Sequence, residues 1–225
     1  MVVGDISDWN DFFPWHLLPQ VFDLVTETWD AWDKPAPDAK ETDISRRFRA
    51  RLKQAKDYKT LPFFIMREDP EDDFETGEEL GRKDIIFLPT HQTSFEEVYF
   101  VFECKRLNAI TESGAFKTLA SEYVTEGMVR FVSGQYARFM DQGGMIGYVL
   151  DGRREHAMGL VEKNIRNKRD DLKMQAPGGF SDSTLRPDNR FIRETSHALS
   201  RTFRIHHIFL TRHVSTDDEN RLAAQ

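Results

Sequence analysis

Asp84-Ile85-Ile86-Phe87-Leu88 and Val98-Tyr99-Phe100-Val101-Phe102-Glu103-Cys104-Lys105 are the two stretches that decide the fold of this chain. Both are apolar runs of strand length, rich in β-branched and aromatic residues, so each predicts a buried β-strand. A short polar connection through Thr90-His91-Gln92-Thr93 joins them. Connections of this length favour a hairpin, so we expect the two strands to be neighbours in one sheet.

Each of these strands carries ionisable residues where charge is costly. Asp84 opens the first strand, and Glu103 and Lys105 close the second. Since successive side chains of a strand point to opposite faces, Glu103 and Lys105 share a face, while Phe102 and Cys104 share the other. A charged group in an apolar setting needs a partner or a metal ion. The pattern therefore predicts two acids and a lysine converging on one site.

Around this pair the chain predicts helices and further strands. The expected order is helix, three strands, helix and strand, which favours an α/β fold with a mixed central sheet flanked by helices on both faces. The predicted elements are a helix Leu17 to Asp30, a helix from Glu41 with Ile44, Phe48 and Leu52 inward, a strand Leu61 to Met66, an acidic loop Arg67 to Glu79, helical periodicity from Tyr123 to Phe139 with a break near Gly127, a strand Met145 to Leu150, a helix Glu155 to Lys173, a loop Gln175 to Asn189, and a strand Phe203 to Leu210 paired with Phe191 to His197.

All four tryptophans, Trp9, Trp15, Trp29 and Trp32, lie in the first 33 residues, ahead of a break at Lys34-Pro35-Ala36-Pro37. Tryptophan is enriched where proteins bind one another, so this segment could be a partner-binding arm. A cap over the sheet explains the same residues and is the interpretation we favour. We expect residues 1–40 to be an aromatic-rich helical extension packed on a core of residues 41–214, followed by a polar tail, 215–225.

Composition excludes several classes. The 225 residues carry a net charge of -7 and one cysteine. A protein that coats nucleic acid by bulk electrostatics is usually basic, so this one is not expected to do so. No apolar stretch reaches the roughly 20 residues of a membrane span, and the start of the chain does not resemble a signal peptide. A cytoplasmic protein with no membrane association is the expectation.

An acid in one strand, Glu-x-Lys in the next and an acid on the helix upstream resemble the PD-(D/E)XK, or restriction-endonuclease-like, nuclease superfamily. The resemblance covers about Glu41 to Leu150, and its motif is short. It implies that Asp84 and Glu103 bind Mg²⁺ (or Mn²⁺), helped by the backbone carbonyl of Cys104, and that Lys105 positions the attacking water. Lys83 stands where the motif has its named proline.

The resemblance implies two further site residues. Many members carry a glutamate on the first core helix, for which Glu41 is the candidate and Asp43 the alternative. Many also carry a glutamine on the helix after the lysine strand, and Gln135 matches it in order. The implied activity is magnesium-dependent hydrolysis of DNA, with RNA as an alternative substrate, because a hard cation and a lysine both serve phosphodiester hydrolysis.

Several basic residues could hold the phosphates that flank a cleaved bond; they are Arg46, Arg47, Lys53, Lys163 and Arg166. The bland alternative is a solvated helix surface. A chain this small, without a recognition module, implies targeting by a homodimer or a partner subunit, in the manner of bacterial restriction or anti-phage systems. The competing hypothesis is a catalytically inactive nuclease-like scaffold that binds nucleic acid or protein.

Histidines cluster near the end of the chain, at His197, His206, His207 and His213. Zinc ligation would need several of them to face one point. His206 and His207 are adjacent in a predicted strand and therefore point to opposite faces. Core or surface histidines with satisfied hydrogen bonds are the favoured interpretation.

Overall fold

A seven-stranded mixed sheet forms the centre of the molecule in the computed structural model, which describes residues 6–66, 69–72, 79–91, 97–111 and 113–212. The strands are β1 (Phe63–Met66), β2 (Asp69–Asp72), β3 (Glu79–Lys83), β4 (Ile85–Pro89), β5 (Phe100–Leu107), β6 (Ala109–Ile110), β7 (Phe116–Lys117), β8 (Gln142–Val149), β9 (Ser181–Asp182), β10 (Ile192–Ala198) and β11 (Thr202–Thr211). The order in the main sheet is β1-β4-β5-β8-β11-β10-β9. β1, β4 and β5 are antiparallel neighbours, β5, β8 and β11 are parallel, and β10 returns antiparallel to β11.

Helices cover both faces of this sheet, as the sequence predicts. They are α1 (Leu18–Asp30), α2 (Glu41–Lys59), α3 (Ala120–Glu122), a π-helical segment (Tyr123–Met128), α4 (Val129–Val132) and α5 (Arg154–Asn167), with short 3₁₀ segments at Ile6–Phe12 and Trp15–Leu17. α1 and α2 pack together on the face that carries Phe102 and Tyr148. The α3–α4 segment and α5 lie on the opposite face, against β8 and β11.

The predicted hairpin of the two opening strands is confirmed, because β4 and β5 pair antiparallel with Ile85 opposite Phe102 and Phe87 opposite Phe100. Their phenylalanines are fully buried and pack edge to face, with ring centroids of Phe100 and Phe102 5.0 Å apart. β5 pairs on its other side with β8, so it is an interior strand of the sheet. Its polar residues are therefore held in a rigid, mostly apolar frame.

The helical stretch after the lysine strand is one continuous segment with a π-helical middle that includes Gly127. The predicted break near Gly127 is therefore absent, and the helix ends at Val132, short of the predicted Phe139. A Cβ at Gly127 would lie 2.4 Å from the end of Met145 and 3.6 Å from Cγ of Lys105. Glycine therefore lets this helix approach the strand that carries Lys105. π-helical turns often occur at functional sites.

The N-terminal segment packs against the core. Trp29 and Trp32 are buried and contact Phe48 of α2, and the Trp29 ring stacks on Tyr148 with centroids 5.2 Å apart. Trp29 also donates from its indole to the carbonyl of Thr211 at 2.8 Å. These contacts tie α1 and α2 to two strands of the sheet.

Two further element predictions need correction. The acidic stretch predicted as a loop contains paired backbone, since β2 and β3 form an antiparallel ladder with Asp69 opposite Lys83. The helix predicted to reach Lys173 ends at Asn167. The tail 215–225 and His213 lie outside the described residues.

Candidate functional site

Asp84 and Glu103 face one another across the β4–β5 hairpin. The register pairs Ile85 with Phe102, so its extension by one residue sets Asp84 opposite Glu103. Directly opposed residues of an antiparallel pair project from the same face. The backbone N–H of Cys104 donates to Oδ2 of Asp84 at 2.8 Å, which fixes the aspartate against β5.

A buried arginine of α2 is hydrogen-bonded to the backbone of Asp84. Arg49 donates from Nη1 to the carbonyl of Asp84 at 3.1 Å and is only 6% exposed. Arg49 belongs to a helix rich in basic residues, many of them exposed, but its own side chain is turned inward. It thereby anchors the start of β4 beneath α2.

Lys105 lies between two glutamates. Its Nζ is 2.9 Å from Oε1 of Glu103 and 3.2 Å from Oε1 of Glu41. Glu41, at the first turn of α2, also accepts the backbone N–H of Arg106 through Oε2 at 2.8 Å. Glu41 thus reaches the predicted site, whereas its alternative, Asp43, is exposed and pairs with Arg46.

Arg130 and Tyr136 complete this group of side chains, and the sequence interpretation did not include them. Nε of Arg130 is 3.5 Å from Oε1 of Glu103. The guanidinium donates to the hydroxyl of Tyr136, which donates in turn to the carbonyl of Arg82 at 2.6 Å. A signal was available: Arg130 lies three residues after Gly127, and residues at that spacing share a helix face. We call Glu41, Asp84, Glu103, Lys105 and Arg130 the carboxylate cluster.

Burial sets the protonation of the cluster. It raises the pKa of Asp84 well above its usual value, and the nearby charge of Glu103 raises it further, against the bond from Cys104. Burial also raises the pKa of Glu103, although Lys105 and Arg130 oppose that shift. Burial alone would lower the pKa of Lys105, but Glu103 and Glu41 raise it above its usual value. Lys105 is therefore a cation, and burial makes the ionised forms of Asp84 and Glu103 energetically unfavourable.

Glu103 has a buried carboxylate oxygen that is not hydrogen-bonded to any described residue. Its side chain is 2% exposed, and Oε2 has no hydrogen-bond partner among the described residues. An uncompensated buried carboxylate oxygen is costly and calls for a physical explanation. Two facing carboxylates with a free oxygen fit a hard divalent cation, which prefers oxygen ligands. Asp84 and Glu103 are the residues suited to hold one.

The described ranges contain no group of three or more His, Cys, Asp or Glu side chains gathered as a ready metal-ligand set. Two acids could therefore supply only part of a coordination shell, with backbone oxygen and water for the rest. Mg²⁺ commonly binds with one or two carboxylates and retains several waters. The Cys104 side chain points the other way, toward Ser45 and Tyr148, and burial raises its pKa well above the usual value.

Gln135 is not on a helix, in contrast to the prediction. α4 ends at Val132, and Gln135 lies half-buried in the bend that follows. Its role in the site stays a prediction. Arg130, on α4 itself, is the residue of this connection that reaches Glu103.

The predicted nucleic-acid contacts form two separate surfaces. Arg46, Arg47 and Lys53 are exposed on α2, while Lys163 and Arg166 are exposed on α5, across the sheet. Because the sheet separates the two groups, they cannot act as one continuous strip.

The histidines form a buried hydrogen-bonded network. The hydroxyl of Thr195 is 2.9 Å from Nε2 of both His197 and His207, and Tyr123 bonds to Nδ1 of His207 at 2.9 Å. His206 faces the opposite side, against Phe22, as the sequence predicts. Burial lowers the pKa of His197, His206 and His207, so the rings are neutral.

No protein-family model, curated protein or solved structure matches this chain. Within the described ranges, no helix combines the length and apolar character that a membrane span requires.

Proposed function

We propose that this protein is a metal-dependent endonuclease that hydrolyses DNA phosphodiester bonds at the carboxylate cluster. One observation carries the proposal: Asp84 and Glu103 oppose each other on one sheet face, with Lys105 beside them, and a buried oxygen of Glu103 has no hydrogen-bond partner among the described residues. A buried carboxylate pair with strongly perturbed pKa values is typical of a functional site.

The order of elements supports the same class. If the small hairpins β2–β3 and β6–β7 are set aside, α2 is followed by the antiparallel strands β1, β4 and β5, by the α3–α4 segment and by the parallel strand β8. This is the helix–three strands–helix–strand order that a restriction-endonuclease-like core implies. The proposed acids lie directly before the second strand of that order, at Asp84, and on the third, at Glu103.

Each residue then has a role that its position permits. Asp84 and Glu103, with the carbonyl of Cys104, would hold Mg²⁺ or Mn²⁺. When bound, such an ion would lower the pKa of a coordinated water and offset negative charge on the phosphate. Lys105 is kept protonated by Glu103 and Glu41, so it orients the attacking water as a cation. Glu41 holds Lys105 in place through its second bond to the backbone of β5.

The wider proposal concerns substrate and setting. DNA is the proposed substrate, with RNA as the alternative, and the basic residues of α2 or α5 would contact flanking phosphates. A homodimer or a partner subunit would supply targeting, in a cytoplasmic restriction or anti-phage system. Cleavage of DNA and RNA assayed in parallel separates the two substrates.

The test is a cleavage assay with three variants, Asp84→Asn, Glu103→Gln and Lys105→Met. Each should lower Mg²⁺-dependent cleavage by about 1,000-fold or more, because each removes a ligand or the water-positioning charge. Glu194→Gln is the matched control, since Glu194 is also a buried strand glutamate but lies outside the cluster. Circular dichroism should show all four variants folded. Undiminished cleavage in the three site variants would refute the proposal.

A catalytically inactive scaffold is the second candidate, and one observation favours it. Lys105 already forms ion pairs with Glu103 and Glu41, so the cluster is partly neutralised by its own residues. Calorimetric titration with Mn²⁺ separates the two functions. A nuclease binds Mn²⁺ in a manner lost in Glu103→Gln, whereas the scaffold shows no binding that depends on that carboxylate.

A further inference from the structure

Arg130 is the one member of the carboxylate cluster without an assigned task in the reaction. Its side chain is 29% exposed, while that of Glu103 is 2% exposed, so the guanidinium extends from the buried acids toward solvent. Arginine is a planar fork of donors that matches the oxygens of a phosphate. The guanidinium of Arg130 therefore lies where the phosphate of a substrate would enter the site.

Neutral groups hold this guanidinium in place. Nε donates to the carbonyl of Glu126 at 2.8 Å, and the Tyr136 hydroxyl accepts a second bond. The cation also lies 5.3 Å from the centre of the Tyr136 ring. Carbonyl, hydroxyl and ring fix the direction of an arginine without cancelling its charge.

The nearest anion leaves Arg130 only partly compensated. Oε1 of Glu103 is 3.5 Å from Nε of Arg130 but 2.9 Å from Nζ of Lys105, so that oxygen interacts more closely with the lysine than with the arginine. A structural ion pair would place the guanidinium on the carboxylate in a two-bonded arrangement. The guanidinium of Arg130 is instead directed beyond the carboxylate of Glu103, without a two-bonded ion pair between them.

Charge balance points to the same ligand. When ionised, the cluster has three carboxylates against Lys105 and Arg130, a net charge of about -1. A bound divalent cation makes the net charge about +1, the complement of a phosphodiester. Without Arg130 the loaded cluster would be about neutral and would have lost its attraction for the substrate.

We propose that Arg130 binds a non-bridging oxygen of the scissile phosphodiester, and that Tyr136 is the residue that positions it. The inference rests on the proposed nuclease function. Arg130 would stabilise the negative charge that grows on the phosphate as water attacks. Tyr136 acts through Arg130, because its hydroxyl bridges the guanidinium to the carbonyl of Arg82 beside Asp84.

The experiment compares Arg130→Gln with Arg138→Gln in two measurements, single-turnover DNA cleavage in Mg²⁺ and calorimetric binding of Mn²⁺ alone. Arg138 is the matched control, an exposed arginine stacked on Phe139 in the same connection. Arg130→Gln should slow cleavage by about 100-fold. It should tighten Mn²⁺ binding, since a positive charge beside the acids is gone. Arg138→Gln should leave both quantities unchanged.

Two further variants separate binding from structure. Arg130→Lys keeps the charge but loses the fork, so its cleavage rate should lie between those of wild type and Arg130→Gln. Tyr136→Phe keeps the ring and removes the hydroxyl, which should lower kcat more than it raises KM.

The outcomes are distinct. Equal cleavage by wild type and Arg130→Gln overturns the inference alone. Parallel loss of Mn²⁺ affinity and cleavage in Arg130→Gln also overturns it, because that result marks a structural ion pair. Absence of Mg²⁺-dependent cleavage by the wild-type protein overturns the proposed function, and the inference with it.

Discussion

Glu103 on β5 and Glu194 on β10 are both buried glutamates in one sheet, yet their carboxylates meet opposite environments. Oε2 of Glu194 accepts two hydrogen bonds from Thr184, from its backbone N–H and its hydroxyl, each at 2.9 Å. Oε2 of Glu103 accepts none among the described residues. The fold can therefore satisfy a buried carboxylate oxygen, and it does so in the half of the sheet around β10 and β11 but not in the half around β5. We call these two halves the satisfied end and the unsatisfied end of the sheet.

The histidine network extends the contrast. The carbonyl of Leu172 can only accept, so Nδ1 of His197 carries the proton and donates to it at 2.7 Å. Nε2 of the neutral His197 then accepts from Thr195, whose oxygen accepts Nε2–H of His207. Nδ1 of His207 accepts from Tyr123. Every ring nitrogen of His197 and His207 therefore has a hydrogen-bond partner, with one set of tautomers.

The comparison shows which part of the molecule retains an arrangement that lowers its folding stability. A network in which each donor meets an acceptor contributes to stability and to a unique arrangement. A cluster with raised acid pKa values and a bare carboxylate oxygen lowers stability, and such exceptions are expected at functional sites. The two ends of the sheet should therefore respond in opposite ways to substitution and to pH.

The largest effect is expected from Thr195→Val, which tests the satisfied end. Valine is nearly the same shape but leaves Nε2 of His197 and Nε2–H of His207 unpaired in the core. The free energy of unfolding should fall by about 3 kcal/mol, as for two orphaned buried groups. Urea denaturation at neutral pH measures it. Thr202→Val, at an exposed hydroxyl of β11, is the control and should change stability by less than about 0.5 kcal/mol.

If Thr195→Val were as mild as Thr202→Val, the network would not be the stabilising element described above. The contrast between the two ends of the sheet would then lose its satisfied half.

A smaller effect is expected in acid, at His206. Burial and the charge of Arg204 lower its folded pKa to about 3, and Glu194 lies 3.8 Å from its Nδ1. As pH falls below the unfolded pKa of about 6.5, the unfolded chain takes up a proton that the folded protein refuses. Stability is therefore present above about pH 6.5 and is lost as pH falls toward about 3.

The measurement is the free energy of unfolding at two pH values. His206→Gln keeps a donor for Gln142, whose Oε1 is 2.7 Å from Nε2 of His206, and removes the titration. The loss of stability between about pH 7 and about pH 5 should shrink by about 2 kcal/mol relative to wild type. His156→Gln, at an exposed position on α5, is the control. An unchanged slope in His206→Gln would contradict the buried neutral ring.

The smallest effect is expected at the unsatisfied end, and its sign is the informative part. Glu103→Gln removes a carboxylate whose folded pKa is raised, so the variant should gain on the order of 1 kcal/mol at neutral pH, the usual scale for relief of a functional site. Glu194→Gln should lose stability, because it disturbs the two bonds from Thr184. Thermal unfolding of the pair in parallel gives both signs.

The gain in Glu103→Gln should also depend on pH. Below its raised folded pKa the wild-type Glu103 is protonated and resembles glutamine, so the advantage should fade as pH falls. Destabilisation by Glu103→Gln at every pH would mean that the ion pair with Lys105 outweighs the cost of burial.

Much of the fold could be predicted from local patterns. Apolar runs of strand length identified β4 and β5, and alternation identified the shared face of Glu103 and Lys105, because side chains of a strand alternate whatever lies around them. The same argument set His206 and His207 on opposite faces. The hairpin in the acidic stretch was missed because its charged residues have weak β-propensity.

The site itself could be predicted only in part. Asp84, Glu103 and Lys105 lie on or directly beside the neighbouring strands β4 and β5. Their proximity could therefore be predicted once these two strands were expected to pair. Glu41 reaches Lys105 only because α2 packs with its first turn over the end of β5. Arg130 and Tyr136 escaped the sequence interpretation because their contacts depend on how closely the helix at Gly127 approaches the sheet.

The sequence by itself determined the alternation of β5, the apolar character of its strands and the charges that must be buried with them, since these follow from residue type and backbone geometry. Only the tertiary structure decided which buried carboxylate oxygen is hydrogen-bonded. Hydrogen bonds between distant elements, such as those from Thr184 to Glu194, depend on the relative position of loops and strands. The local sequences of Glu103 and Glu194 do not reveal that Oε2 is hydrogen-bonded in Glu194 and, among the described residues, is not in Glu103.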